Sequence, residues 1–435
     1  MQDLQPGRTR ESSSRESGRA PGSPRTTTSA AAVPAMRRDE LVSRHPGFHR
    51  LPMGKRVQIV AEAAGLGPRD RELLESDTPL TFSQADLMIE NAVGVFGLPE
   101  GVAVNFTVNG RDRLVPMVVE EASVVAAASS AARLTRQCGG ISADADPSLM
   151  TGQIHILHVP DADAAAGRVR DAAGRLVAAA RRLQPGMVAR GGGTREISAR
   201  ALPDGSVLVH VVADVGDAMG ANAVNTLLEA LAPEVAAVTG GDVGVRILSN
   251  LADQRLARAG VEIPEQLLAT ADRSGAETAE RIAQACALAA MSPHRAATHN
   301  KGVMNGIDAV AVATGQDWRA IEAGVHAHAA RGTTYQPVAT WHREAGSLHG
   351  SFEAPLAVGT VGERIGANPR AALSLKLLKV TGARELAGVM AAVGLAQNLA
   401  ALRALTGDGI QRGHMALNQR CQASPAASFP ESGAR

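Results

Sequence analysis

The run GVAVNFTVNGRDRLVPMVV at residues 101–119 constrains the fold of this chain more than any other segment. Apolar and polar residues alternate along it, and Asn109-Gly110 lies in its middle. Because both residues of this pair readily adopt positive φ, the pair favours a two-residue turn between antiparallel strands. An Ala-rich segment at 123–134 follows, and its small side chains permit close packing. The sequence therefore predicts a β-hairpin followed directly by a helix.

The rest of the chain mixes helical and strand periodicity. Helical spacing of apolar residues predicts further helices at 57–66, 164–183, 220–238, 265–273 and 277–291. Short apolar runs predict strands at 153–158 and 206–215. A strand, a helix, a Gly-rich turn and a second strand follow one another between 148 and 249. This order predicts a small domain inserted into a larger one.

We therefore expect an α/β protein of the mixed α+β type, with a large helix-rich domain and a small inserted domain. The large domain is predicted at 39–147 and 250–411, and the small domain at 148–249. Residues 1–38 are polar and rich in Arg and Ser, so we expect a disordered leader that has little apolar surface to bury. The leader lacks the apolar region of a secretory signal. A transit peptide, or translation from Met36, remains an alternative.

Charge, cysteine usage and hydropathy exclude several classes of protein. The 44 Lys and Arg residues nearly balance the 43 Asp and Glu residues, so a net charge of +1 gives no general attraction to nucleic acid or an anionic membrane. Cys138, Cys286 and Cys421 lie far apart, which argues against a disulfide framework or a thiolate metal site. The apolar stretch 386–402 looks too short and too polar to span a bilayer. These features predict a cytoplasmic protein that binds neither nucleic acid nor a membrane.

The common motifs of nucleotide sites and hydrolases are missing. The sequence has no GxGxxG after a strand, no GxxxxGK[ST] and no GxSxG. His326 and His328 are two residues apart on a predicted helix, so their side chains point about 200° apart. Neither HExxH nor a pair of carboxylates accompanies them. We expect ordinary surface or core histidines and no metal ion.

Four segments place polar residues within apolar runs, at 115–123, 293–308, 313–318 and 393–415. Burying an ionisable group is costly unless the group is paired. Each segment therefore indicates either a salt-bridge network or a functional site. The pattern alone leaves both interpretations open.

These segments belong to five longer blocks, at 90–123, 217–226, 240–259, 295–331 and 391–417. The blocks include DAMGANAVNT, RAATHNKGVMNGID and AAVGLAQNLAALRAL. In sequence and in order, they resemble the bacterial-type (class II) 3-hydroxy-3-methylglutaryl-coenzyme A (HMG-CoA) reductases. The resemblance implies two hydride transfers that interconvert HMG-CoA with mevalonate and coenzyme A. It also implies that the dinucleotide binds on a small, non-Rossmann domain, which agrees with the missing GxGxxG.

The resemblance implies four catalytic residues, which are Glu121, Lys301, Asp317 and His414. Lys301 would stabilise the negative charge that develops on the carbonyl oxygen, and Glu121 would donate a proton. Asp317 would hold Lys301 in its charged form. His414 would protonate the departing coenzyme A thiolate, because imidazole titrates near physiological pH.

The resemblance also implies contacts to substrate and cofactor. The expected substrate contacts are Ser123, Arg295, Asn305 and Asn398, and the expected cofactor contacts are Gln184, Asp217, Met219, Gly220 and Asn222. Arg295 would bind the glutaryl carboxylate, since a guanidinium can donate two parallel hydrogen bonds. Gln184 stands where NAD-preferring relatives carry an aspartate, and Arg181 and Arg182 lie close by. The cofactor is therefore NADPH or NADH, with NADPH favoured.

Members of this family form active sites across a dimer interface, so the resemblance implies a homodimer or a multiple of dimers. Their chains continue after the catalytic histidine as a helical flap that closes over the site. Here residues 415–435 are rich in Pro and Ser, so we expect 412–435 to form a truncated flap and a disordered tail. The alternative function is a catalytically impaired protein that binds coenzyme A esters and dinucleotides without a working flap.

Overall fold

The structure, a computed structural model, describes residues 42–77, 80–407 and 409, all within one compact unit, Leu41–Arg435. The strands are β1 Glu100–Val108, β2 Arg111–Val118, β3 Ser142–Ala145, β4 Leu149–Leu157, β5 Gly193–Ala201, β6 Val207–Asp214, β7 Asp242–Leu248, β8 Leu256–Pro264, β9 Ala339–Glu344 and β10 Ser347–Pro355. The helices are α1 Met53–Ala64, α2 Pro68–Glu75, α3 Phe82–Met88, α4 Val124–Thr135, α5 Ala162–Asp171, α6 Ala173–Leu183, α7 Pro185–Ala189, α8 Ala221–Thr239, α9 Gly275–Met291, α10 Pro293–Ala313, α11 Trp318–Ala329, α12 Glu363–Ala367, α13 Pro369–Leu378 and α14 Ala383–Thr406.

The predicted hairpin is present. Strands β1 and β2 pair antiparallel, and Val108 lies opposite Arg111. Asn109 and Gly110 form the turn with φ values of 51° and 72°, as the Asn-Gly signal predicts. Helix α4 begins six residues after β2 ends, and its Ala128, Ala131 and Ala132 are buried.

The largest hydrophobic core surrounds α14. Sixteen residues of this 24-residue helix are buried, on all sides of its axis. The helix packs against α4, α9 and α10, and against the antiparallel sheet β3-β8-β10-β9. Small residues make this close packing possible, since a Cβ placed on Gly394 would lie 2.8 Å from Ile307 of α10. A helix that is apolar all round is stable only when other elements cover it on every side.

A second hydrophobic core lies between the antiparallel sheet β5-β6-β4-β7 and helices α5, α6 and α8. All three strand pairs of this sheet are antiparallel, so it is not a Rossmann fold, in which the strands are parallel. The mixed α+β fold class is therefore confirmed. The exact domain boundaries at 148–249 stay a prediction.

The structure corrects two predicted helices. The helix at 164–183 is divided into α5 and α6, because Ala172 adopts φ −87° and ψ −1° between them. The helix at 265–273 is limited to a 3₁₀ turn, Glu265–Leu268, which buries Leu268 and ends at an extended Ala269. Apolar spacing did not distinguish this buried turn from the start of a helix, because both place apolar residues three apart.

The argument that the apolar stretch 386–402 is too short for a membrane was also wrong. Within the described residues, α14 is long and apolar enough to cross a membrane by length and composition. The chain nevertheless buries 83 % of its most apolar window against other elements. In this fold α14 is a core helix, as the contacts around it show.

Candidate active site

The centre of the candidate site is an ion pair between distant parts of the chain. Lys301 lies on α10, and Glu121 lies in the turn between β2 and α4. The Lys301 Nζ atom donates a hydrogen bond to Glu121 Oε2 at 2.9 Å. The two side chains are 62 % and 37 % exposed, respectively, so a ligand can approach the pair from solvent. The fold thus brings together two of the predicted catalytic residues.

Asp317 is placed by the start of α11. Its Oδ1 atom accepts a hydrogen bond from the backbone amide of Ala320 at 3.1 Å, which caps this helix. Only a short turn separates α11 from the end of α10, the helix that carries Lys301. The role of Asp317 as a partner of Lys301 stays a prediction.

Three of the predicted substrate contacts lie along α4 and α10. Ser123, two residues after Glu121, adopts φ 81° at the N-terminus of α4. Asn305 lies one turn after Lys301 on the same face of α10. Arg295 is in the first turn of α10, where burial lowers the pKa of its guanidinium. Their roles as substrate contacts stay predictions.

The fourth predicted contact, Asn398, faces the protein core in this structure. It is 1 % exposed on α14. Its Oδ1 atom accepts a hydrogen bond from Trp341 Nε1 at 2.8 Å, and its Nδ2 atom donates to the carbonyl of His299 at 3.4 Å. The amide therefore joins α14 to β9 and α10, and the structure does not bring it to the Glu121–Lys301 pair.

Two residues before Lys301, His299 is buried on the inner side of α10. Its Nε2 atom lies 2.9 Å from the carbonyl oxygen of Ala339, and its Nδ1 atom has no partner. The neutral tautomer that carries its proton on Nε2 fits this arrangement. Burial, with a smaller contribution from Arg295, lowers the pKa of His299 to about 4. A second proton would leave an unpaired buried donor and a buried charge.

A polar network lies behind the same helix. His326 contacts Glu322 at 2.6 Å and the Tyr335 hydroxyl at 2.6 Å, and this hydroxyl accepts a hydrogen bond from Asn300 at 3.0 Å. Burial and the neighbouring Glu322 raise the pKa of Asp308. The network links α10 to α11 beside the candidate site.

The predicted cofactor residues of the DAMGAN motif lie in the loop before α8 and in the first turn of that helix. Gly220 is the N-cap of this 19-residue helix with φ 106°, and no side chain caps the helix. The N–H groups of its first turn are therefore available to another acceptor, such as a phosphate. Asp217 does not cap α8: its Oδ1 atom accepts a hydrogen bond from the Ala383 amide at 2.8 Å, at the start of α14.

Gln184 lies at the end of α6 and is 8 % exposed. Its Oε1 atom accepts a hydrogen bond from the Thr194 hydroxyl at 3.1 Å, whereas its Nε2 atom has no partner. Arg181 donates to the carbonyls of Gly192 and Thr194, at 3.4 and 3.3 Å. Arg182 is on the surface of the helix. Of the two arginines, Arg182 is therefore the more accessible to an anionic ligand.

The remaining predicted site residues are quickly placed. Met219 lies in the loop before α8, and Asn222 is exposed in the first turn of that helix. His414 and Cys421 lie outside the described residues. No group of three or more His, Cys, Asp or Glu side chains in the described part of the chain is arranged to hold a metal ion.

The fold is not of the Rossmann type and presents an accessible lysine–carboxylate pair, and comparisons with known proteins specify the family. A family model described as hydroxymethylglutaryl-coenzyme A reductase matches residues 52–419. The chain belongs to the hydroxymethylglutaryl-coenzyme A reductase family. The predicted resemblance and the predicted oxidoreductase activity are confirmed accordingly.

Two relatives support this assignment. The chain is 48 % identical over 388 residues to the 3-hydroxy-3-methylglutaryl-coenzyme A reductase of Archaeoglobus fulgidus, which covers 88 % of this chain and 87 % of the relative. It is 34 % identical over 332 residues to a probable 3-hydroxy-3-methylglutaryl-coenzyme A reductase of Borreliella burgdorferi, covering 76 % of each chain.

Solved structures give the same result. The fold matches the 3-hydroxy-3-methylglutaryl-coenzyme A reductase of Streptococcus pneumoniae with a TM-score of 0.80 and 40 % identity, over 83 % of this chain and 99 % of that chain. A second structure of the class II enzyme from that organism, with NADPH bound in open conformations, matches equally well. Nothing in these comparisons favours the impaired alternative.

Sequence reasoning missed two buried polar residues near the site. Arg255 is 4 % exposed and donates hydrogen bonds to the carbonyls of Ala218 and Met219, in the cofactor loop. Gln316 is 7 % exposed, directly before Asp317. The segment 313–318 did show a polar interruption, but the pattern gave no means of telling which of its side chains points inward. No sequence pattern singled out Arg255.

The lowered pKa of His299 makes an experimental prediction. The unfolded chain takes up a proton on this residue near pH 6.5, whereas the folded chain does so only near pH 4. The contribution of His299 to stability is therefore present above pH 6.5 and is lost as the pH falls toward 4, by up to about 1.4 kcal/mol per pH unit. Urea unfolding from pH 7 to pH 4 measures this loss.

A His299→Gln variant should lose stability less steeply than wild type over this range. The control is Val60→Ala, which shortens a buried side chain in a separate hydrophobic cluster and introduces no titratable group. It should lower stability by a similar amount at every pH. Parallel pH profiles for wild type and His299→Gln would contradict the assignment.

Proposed function

We propose that this protein reduces HMG-CoA to mevalonate and coenzyme A with NADPH, through Lys301, Glu121, Asp317 and His414. The observation that carries the proposal is the hydrogen bond of 2.9 Å between Lys301 Nζ and Glu121 Oε2 on an accessible surface. This contact presents a cation and a carboxyl group to the same point. A carbonyl oxygen bound there lies next to the cation that its reduction requires and next to a carboxyl group that can donate a proton once protonated.

Lys301 acts in both reductive steps. The carbonyl oxygen of the thioester becomes negatively charged in the first step, and that of mevaldehyde in the second. A positioned ammonium group stabilises each of these transition states. Asp317, on the turn that follows α10, keeps this cation charged and oriented.

Protons come from two different groups. Glu121 supplies the carbonyl oxygen with its proton when its carboxyl group is protonated. In this structure its Oε2 atom accepts the hydrogen bond from Lys301, which places the carboxyl group next to the cation. His414 protonates the coenzyme A thiolate when the hemithioacetal collapses, because imidazole exchanges a proton near neutral pH. Arg295 binds the glutaryl carboxylate, and Ser123 and Asn305 complete the substrate contacts. Asn398 is left out of this set, because its amide is buried and hydrogen-bonded to Trp341 and His299.

The residues of the small core fit a dinucleotide. The uncapped N-terminus of α8 offers backbone N–H groups to the pyrophosphate, with Asp217, Met219, Gly220 and Asn222 around it. When bound, NADPH supplies one hydride, so the two reductive steps consume two NADPH molecules in turn. The chain's part is to hold the dinucleotide at this loop and to exclude water from the reacting carbonyl.

NADPH is proposed in preference to NADH. Gln184 places no carboxylate at the adenosine ribose, so nothing there repels a 2′-phosphate. Its unpartnered Nε2 atom and the accessible Arg182 both favour an anionic group. The Streptococcus pneumoniae reductase, whose fold this chain shares, binds NADPH.

We propose that the active unit is a homodimer or a multiple of dimers. An exposed apolar segment at 82–98 supports this: Phe82, Leu87, Val93 and Phe96 are 76 %, 86 %, 100 % and 90 % exposed. Single exposed apolar residues are common, but a contiguous group of this kind is typical of an interface. The segment also includes the start of the 90–123 block, which ends at Glu121 and Ser123.

The remaining assignments follow from the sequence. A cytoplasmic location agrees with the three separate cysteines, two of which are free thiols in the described structure. The reaction needs no metal, because Lys301 supplies the positive charge. Synthesis and oxidation of mevalonate use the same residues, so these residues do not determine the direction of the reaction in the cell. A spectrophotometric assay run in both directions, with NADPH and NADH in parallel, tests the proposal as a whole.

Replacing Lys301 by Ala should lower the rate of HMG-CoA reduction and of free mevaldehyde reduction by about 10²–10³ each, because both transition states lose the same cation. Single-turnover absorbance of the dinucleotide measures both rates. His414→Ala should impair only the thioester reaction, since no thiolate leaves when mevaldehyde is reduced. Lys55→Ala, an exposed lysine on α1, is the control. Unimpaired mevaldehyde reduction by Lys301→Ala would refute the assigned role.

Replacing Arg182 by Ala should raise the KM for NADPH about tenfold and leave the KM for NADH nearly unchanged, because only NADPH carries a 2′-phosphate. Steady-state kinetics with each cofactor measure the change. Arg175→Ala removes an exposed arginine two turns earlier on the same helix and serves as the matched control. An equal effect on both cofactors would argue against this contact.

Replacing Phe96 by Asp should convert the dimer to monomer at micromolar concentration, because it places a charge within the apolar segment 82–98. Sedimentation velocity measures the assembly state. Val245→Ser changes an apolar residue of 59 % exposure on β7 and should leave the dimer intact. A wild-type chain that sediments as an active monomer would overturn the proposed dimer.

A further inference from the structure

Gln316 joins the turn that carries Asp317 to Gly359, in the segment that follows β10. Its Nε2 atom donates to the carbonyl of Gly359 at 2.9 Å, and the Gly359 amide donates back to Gln316 Oε1 at 2.8 Å. The second proton of Nε2 goes to the carbonyl of Thr314 at 2.9 Å. The side-chain amide therefore pairs with the Gly359 backbone as one strand pairs with another, and it is 7 % exposed.

Gly359 in turn supports the cofactor loop. A Cβ placed on Gly359 would lie 2.5 Å from the Met219 amide nitrogen and 3.1 Å from the carbonyl oxygen of Asp217. The loop thus rests directly on the Gly359 backbone. The neighbouring Thr360 amide donates to the same Asp217 carbonyl at 2.8 Å. Any shift of Gly359 must move residues 217–219.

Arg255 holds the loop from the other side. Its guanidinium donates to the carbonyls of Met219 at 2.9 Å and Ala218 at 3.3 Å, and also to that of Val358. One buried cation thus ties the loop to the segment after β10, to which Gln316 is also hydrogen-bonded. Burial lowers the pKa of Arg255 to about 10, which still leaves it charged at neutral pH.

We propose that Gln316 is a positioning residue, which sets the distance between the catalytic turn at Asp317 and the cofactor loop at 217–219 through the Gly359 backbone. The inference rests on the proposed function, because it concerns the placement of the dinucleotide against Lys301 and Asp317. Reaction rates depend steeply on such placement, and a misplacement of about 1 Å can cost about a hundredfold in rate.

The first variant is Gln316→Met, which keeps the length of the side chain and removes all three hydrogen bonds. We expect the Kd for NADPH, measured by quenching of tryptophan fluorescence, to rise about tenfold. We expect kcat to fall by a factor of about 10 to 100, since the turn at Asp317 and the loop at 217–219 no longer keep their relative positions. The KM for HMG-CoA should change by less than about twofold, because the substrate contacts on α4 and α10 are untouched.

The control is Val60→Ala, which lies in the separate cluster around Leu114 and Leu377 and lowers stability by a comparable amount. It should leave the Kd for NADPH unchanged. If Gln316→Met weakens NADPH and HMG-CoA binding equally, or leaves both NADPH binding and kcat at the wild-type values, the proposal is overturned. A wild-type chain that binds no NADPH and turns over no HMG-CoA would instead refute the proposed function.

A second variant tests the route and remains informative if Gln316→Met does not fold. Gly359→Ala adds the Cβ that would press against the Met219 amide, so it should produce the same split between NADPH and HMG-CoA. If both residues act through one contact, the double variant should be no worse than the more impaired single variant. Normal NADPH binding by Gly359→Ala, or fully additive effects in the double variant, would show that Gln316 does not act through this contact.

Discussion

The packing of α14 within the large core is the constraint on which the rest of the structure depends. The helix approaches α10 through glycines on both sides: a Cβ on Gly306 would lie 2.9 Å from Gln397, and one on Gly394 would lie 2.8 Å from Ile307. Lys301 and Asn305 occupy the same helix α10, five residues and one residue before Gly306, respectively. The position of Lys301 is thus set by the packing of α10 against the buried helix α14.

The same helix connects the two cores at its other end. Asp217 of the cofactor loop accepts a hydrogen bond from Ala383, at the first turn of α14, where a carboxylate also interacts favourably with the helix dipole. Gln316 and Arg255 add a second connection between loop and large core. A chain with two hydrophobic cores thereby keeps residues 217–219 in a fixed position relative to the helices of the large core.

Local signals in the sequence were sufficient for the hairpin, since Asn109-Gly110 determines its own turn. They were insufficient at 265–273, where the burial of Leu268 stabilises a 3₁₀ turn, and at Ala172, where one residue divides a helix. The Glu121–Lys301 contact came from the family resemblance, because residues 180 apart leave no pattern in a single sequence. The same resemblance predicted Asn398 as a substrate contact, but its Oδ1 atom accepts a hydrogen bond from Trp341 in this structure.

Because the Glu121–Lys301 pair is exposed, the strength of its electrostatic interactions depends on whether solvent reaches the site. In contact with bulk water, the field of an ammonium group is strongly screened, and at a distance of about 4 Å two charges interact by only about 1 kcal/mol. Covering the same pair with a low-dielectric surface multiplies that interaction several-fold. In such a reductase the chain alone supplies the geometry of the charged pair. The pair acts strongly on a bound carbonyl only when solvent is excluded from the site.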